Sequence, residues 1–150
     1  MLVTESRDGS DLVAFLASLS DGQAAIVREV HRTIAEVAPE LLPPAHHGPL
    51  FGYGPFHYRY VSGREGDAYL ISVRGGSKQL SIYVSAIEDG RYVPEMHARN
   101  LGITSVGRSC IRVKRPGDLD LPAFAEVVRH AVELGGEGSS SGGTTRPGRC

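Results

Sequence analysis

Two short runs of alternating residues set the limits on what this chain can fold into. In Lys78-Gln79-Leu80-Ser81-Ile82-Tyr83-Val84, the apolar Leu80, Ile82 and Val84 alternate with Gln79, Ser81 and Tyr83. In Ser109-Cys110-Ile111-Arg112-Val113, Ile111 and Val113 alternate with Cys110 and Arg112 in the same way. A period of two is that of a half-buried strand. Both runs therefore call for a sheet with one covered face, and the remaining elements must extend that sheet or cover it.

The flanking segments supply both. Ser10 reads as an N-cap, and Leu12, Phe15, Leu16 and Leu19 form the apolar stripe of a short helix. Ser20 and Gln23 have capping-box spacing, so a second helix follows, with Ile26, Val27, Val30, Ile34 and Val37 on its inner face and Leu41 at its end. Pro43 and Pro44 stop it. Ala45 to Pro55 reads as turn and loop because glycine and proline are dense there. Phe56, Tyr58 and Tyr60 alternate with His57 and Arg59, and Tyr69, Ile71 and Val73 alternate again after a polar loop over 62–67. Short turns between these strands predict an antiparallel meander. Pro94 opens a short helix containing Met96, His97 and Leu101, closed by Gly102, and Thr104 to Arg108 reads as a loop. Asp118 or Asp120 caps a last helix whose stripe is Leu121, Phe124, Val128, Ala131 and Val132, ended by Gly135-Gly136. The expected fold is α+β: an antiparallel sheet of about four strands, with an N-terminal helix pair and a C-terminal helix packed on it.

Residues 1–10 read as a flexible terminus and 11–136 as one domain; 137–150, rich in Gly, Ser and Thr, read as a disordered tail. Sixteen basic residues against seventeen acidic ones leave a formal charge of -1, without the basic excess of a general nucleic-acid binder. No run approaches the roughly 18 apolar residues of a membrane span, and no signal peptide is visible at the amino terminus. Cys110 and Cys150 are too few for a disulfide framework. Both are expected to be reduced thiols, which points to a cytoplasmic protein.

Taken together, several of these residues resemble a known family. The capped helix pair, the Gly48-Pro49 turn, the strand Lys78 to Tyr83 and above all Gly107-Arg108-Ser109-Cys110-Ile111-Arg112, followed by an Asp-rich cap and a last helix, are similar to the bacterial YdhG-like domain of unknown function. The similarity runs from Asp11 to Glu133. It implies a small α+β domain, and for some members a role as frataxin-like intracellular iron chaperones. Where the family carries an aromatic residue or Lys followed by Gly-Met-Pro, this chain has His46-His47-Gly48-Pro49.

The expected ligand-binding residues are those of the family-like motifs: His47, Gly48, Pro49, Lys78, Ser81, Tyr83, Cys110 and Arg112. Iron, weakly bound, is the cofactor that the resemblance implies. Its candidate ligands are His46, His47, Glu36 and Glu40, with Glu88 and Asp89 as further oxygen donors suited to a hard ion. Adjacent side chains of an extended segment point apart, so His46 and His47 would need a special turn to share one ion. No H-E-x-x-H or paired C-x-x-C pattern occurs. Catalysis by Cys110 would need a base such as His97 or His57 beside it, and the sequence assembles no nucleophile, base and orienting group. Lys78, Arg112, Lys114 and Arg115 form the clearest basic concentration, able to hold a phosphate or carboxylate or simply to form a charged outer face. The function expected is therefore non-enzymatic binding of a small ligand or metal. The alternative is a protein-interaction or anion-binding module that uses the exposed sheet face.

Overall fold

The computed structural model describes residues 10–59 and 61–135. Ser10 opens the first helix. The flexible terminus expected before it, and the tail expected over 137–150 with Cys150, lie outside the described residues. The architecture is α+β. In chain order it comprises α1 (Ser10–Ala17), α2 (Asp21–Val37), a 3-10 turn (Pro39–Leu41), β1 (Ala45–His47), β2 (Leu50–Arg59), β3 (Glu65–Arg74) and β4 (Leu80–Val84). These are followed by a small hairpin, β5 (Ile87–Glu88) and β6 (Arg91–Tyr92), then α3 (Val93–His97), a 3-10 turn (Ala98–Asn100), β7 (Ser105–Val106), β8 (Cys110–Val113) and α4 (Leu121–Leu134). None of the described helices is long and apolar enough to cross a membrane.

The main sheet is antiparallel in the order β1-β2-β3-β4-β8-β7. The two runs that opened the sequence reading, β4 and β8, lie side by side, with Ile82 opposite Ile111 and Ser81 opposite Arg112. Six strands replace the expected four or so. Ala45 to Pro55 is β1 and most of β2 rather than loop, and part of the expected loop over Thr104 to Arg108 is β7. Sheet hydrogen bonds belong to the backbone, so a glycine-rich stretch can join a sheet when its neighbours require it. Between β1 and β2, His47 pairs with Leu50, and the two intervening residues are Gly48 and Pro49. Gly48 has φ 60, the left-handed value that the first central residue of a type II′ hairpin turn needs.

One face of the sheet carries Phe51, Tyr53, Ile71, Val73, Leu80, Ile82, Val84, Ile111 and Val113, all fully buried. Over them lie α2, through Ile26, Val27, Val30 and Ile34, and α4, through Phe124, Val127, Val128 and Ala131. Phe15 of α1 stacks on Phe51 at 4.9 Å and closes the β1 end. The Ser20 hydroxyl accepts from Gln23 N at 3.2 Å, as a cap should, but the Gln23 amide does not return the bond. Its Nε2 donates instead to the Gly76 carbonyl at 2.8 Å and so ties α2 to the β3–β4 turn. Tyr53 is buried, and burial drives its phenol pKa far upward, so the hydroxyl keeps its proton and donates to His31 Nδ1 at 2.7 Å. His31 accepts as a neutral ring, its own pKa lowered by burial.

Candidate functional site

Among the described residues no helix lies over the other face of the sheet. Alternation puts two cross-strand rows there, each one residue out of phase with the core. The first runs Gly52, Ser72, Tyr83, Cys110. The second runs His47, Leu50, Arg74, Ser81, Arg112, Ser105. Of the expected ligand-binding residues, Ser81, Tyr83, Cys110 and Arg112 are thus brought together on adjacent strands. His47 shares their face but stands four strands from Arg112, roughly 19 Å at sheet spacing. Gly48 and Pro49 form the β1–β2 turn, and Pro49 borders a separate recess between α1, α2 and the β3–β4 turn. Lys78 is exposed in the β3–β4 connection.

Cys110 requires a correction. It is fully buried and disulfide-bonded, so it is not the expected reduced thiol and offers no sulfur nucleophile to His97 or His57. The metal candidates are dispersed. His46 turns to the helix side, edge-on to Phe15 at 5.4 Å, whereas His47 is on the open face. Glu36 and Glu40 are exposed, on α2 and the turn after it. Among the described residues no group of three or more His, Cys, Asp and Glu side chains is arranged to hold a metal ion.

The open face contains a recess of about 560 Å³ that the sequence reading missed. Tyr69 makes one wall. Its register partner is Pro55, yet its ring lies over Gly52, where an added Cβ would come within 2.3 Å of Cγ. Leu50, Pro55 and Ala68 extend the apolar lining, and His47, Asp67, Ser72 and Ser85 bring polar atoms into it. Ser72 and Ser85 are almost wholly buried, so the hollow exists because the strand positions beneath it carry small side chains. Asp67 is held by His57, whose Nδ1 donates to Oδ1 at 2.9 Å while Nε2 donates to Glu65 Oε1 at 2.8 Å. The hydrogen bonds to Asp67 and then Glu65 raise the His57 pKa, in keeping with a ring that donates from both nitrogens.

A second constellation, also missed, joins three distant segments. Glu88 Oε1 accepts from His130 Nε2 at 2.7 Å, and His130 Nδ1 lies 3.0 Å from His97 Nε2. With Glu88 accepting, the His130 Nε2 carries a proton, and His130 Nδ1 and His97 Nε2 share one hydrogen bond. Burial, with the neighbouring His130, lowers the His97 pKa against an opposing contribution from Glu126. The chain Glu88–His130–His97 thereby fastens the β5–β6 hairpin and α3 to α4.

Comparison of the chain with protein-family models, with curated proteins and with solved structures finds no match in any of the three. Gly52 becomes a signal for the recess only once its segment is known to be strand. A glycine inside a strand marks close approach by another group, and Gly52 is such a residue. For the histidine chain, no spacing rule connects residues 88, 97 and 130.

Proposed function

We propose that the chain is a non-enzymatic small-ligand-binding domain of the YdhG-like type, with its site in the recess under Tyr69. The supporting observation is the recess itself. Its volume of about 560 Å³ falls within the roughly 300–1,000 Å³ usual for small-molecule sites. Its lining has the usual division of labour, an apolar wall with a few converging polar groups. The Tyr69 ring and Leu50 offer a flat apolar contact, and the Asp67 carboxylate accepts hydrogen bonds, so the ligand favoured is a compact aromatic body bearing hydroxyl or amino donors. The metal form of the same reading, with iron as cargo, has less support, because His46 and His47 face opposite sides of β1. A cytoplasmic location loses its thiol argument with Cys110 in a disulfide.

Titration of the ¹⁵N-labelled protein with small phenols and aromatic amines tests the proposal. Saturable shifts at His47, Leu50, Ser72 and Ser85, abolished by Tyr69→Ala, are expected. Absence of such shifts across the series, or shifts unchanged in Tyr69→Ala, would overturn it. An anaerobic titration with ferrous iron is the corresponding test of the metal form.

A further inference from the structure

At the opposite end of the open face, about three strands or roughly 14 Å from Ser72, a second cavity of about 250 Å³ opens beside β7 and the end of β8. Arg112, Lys114 and Arg115 line it. Among the described residues the one carboxylate in its wall, Asp118, lies 3.7 Å from Arg115 Nε. Neither Arg112 nor Lys114 forms an ion pair with a carboxylate among the described residues. Arg112 is held by a neutral group, its Nη1 donating to Ser105 Oγ at 3.2 Å. Asp120, another acidic residue close in sequence, is occupied as the cap of α4, accepting from Ala123 N at 2.9 Å. Three cations against one anion leave two positive charges facing one small cavity.

A second observation points the same way. Thr104 also lines the cavity, and its Oγ1 is buried with no hydrogen-bond partner. A buried hydroxyl left unpaired costs stability, so a partner within its reach would be favoured. We propose that this cavity binds a phosphate group, free or carried on a small ester. The Arg112 guanidinium presents a planar fork to two phosphate oxygens, Lys114 adds a point charge, and the Thr104 hydroxyl, once rotated toward the cavity, donates to a third oxygen. A phosphate monoester carries about -1.5 to -2 at neutral pH, which matches the uncompensated charge. Ile103 stands at the rim with 72% of its surface exposed, an apolar contact for the organic part of an ester. This site is independent of the recess under Tyr69.

Calorimetric titration at constant ionic strength, with inorganic phosphate and phenyl phosphate as separate probes, tests the proposal. Saturable one-to-one binding is expected, weakened about tenfold or more by Arg112→Lys, which keeps the charge and loses the fork, and by Lys114→Met. Thr104→Val separates a binding role from a structural one: it should weaken phosphate binding while leaving the urea midpoint unchanged or higher, because an unpaired hydroxyl is removed. Tighter binding of phenyl phosphate assigns the site to an ester, and equal binding assigns it to free phosphate. No saturable binding by the unaltered protein, or affinities in Arg112→Lys and Lys114→Met unchanged from it, would overturn the inference.

Discussion

Gly52→Ala tests both the packing of the open face and the origin of the recess. Gly52 lies in β2 without a left-handed φ, so the backbone itself would accept alanine. The obstacle is Tyr69. An alanine Cβ would fall 2.3 Å from ring atoms Cγ and Cδ2 and 2.6 Å from Cδ1, so the whole ring must move, not just its tip. Overpacking of this kind costs about 1–3 kcal/mol. In a Tyr69→Ala background the clash is gone, and Gly→Ala at a compatible backbone position stabilises by about 0.4–1 kcal/mol through the unfolded chain. The two substitutions should therefore be coupled by about 1.5–4 kcal/mol in a double-mutant cycle. Urea unfolding followed by circular dichroism measures all four corners. Gly52→Ala should also weaken whatever small phenol or amine the recess binds, since the displaced ring can no longer wall it. Equal effects of Gly52→Ala in both backgrounds would refute the placement of the ring over Gly52.

Three further outcomes follow from the packing and the titrating groups. Ile82→Ala, at a fully buried position in the middle of the sheet, should cost about 2–5 kcal/mol, whereas Ser81→Ala on the open face should cost little; similar small losses in urea midpoint at both would contradict the register of β4. Asp120→Ala removes the side-chain cap of α4 and should lower stability by about 0.5–2 kcal/mol, visible as a reduced thermal midpoint with the helix content retained. His31 and His97 have folded pKa values below the ordinary 6.5, so they bind protons more readily when unfolded, and their contribution, full above that value, is lost as pH falls through the folded pKa values. The exposed His57, with a raised pKa, acts in the opposite sense, its contribution being present at low pH and lost as pH rises through its folded value. Comparing urea midpoints near neutrality with those at about pH 5 should show a smaller acid loss in His97→Gln than in the unaltered protein; an unchanged loss would count against a protonation penalty at His97.

The segments that could be read from the sequence are those whose pattern is local. Leu80, Ile82 and Val84 repeat every second residue, and the α2 stripe repeats every third or fourth, so their faces need no knowledge of partners. Asp120 announces α4 in the same local way. β1 and the first half of β2 were illegible because Gly48, Pro49, Gly52, Gly54 and Pro55 suppress any strand propensity of their own. That stretch is strand because β3 pairs with it from Leu50 to Arg59, a non-local cause. Tyr69 shows the limit of periodicity most clearly. It alternates with Ile71 and Val73, as a core residue would, yet its ring lies on the opposite side, over Gly52.

The site depended even more on register. Arg112, Ser81, Tyr83 and Cys110 could be placed on one face from two local alternations. The recess could not, because its walls come from positions as far apart as 47, 69 and 85, and they meet only once β1, β2 and β3 are aligned. The charged residues show the same distinction. Sequence proximity allowed Arg112 to pair with Asp118 or Asp120, which would have made the basic cluster structural. In the fold Asp118 lies beside Arg115, and Asp120 is used by the first turn of α4. The carboxylates available to neutralise Arg112 are thus already committed elsewhere. What the sequence presents as a run of like charges becomes, through the allocation of two neighbouring acids, a cavity with unspent positive charge and an unpaired hydroxyl. On the phosphate-binding proposal, that allocation is what turns the basic cluster from a solvated outer face into a site for an anion.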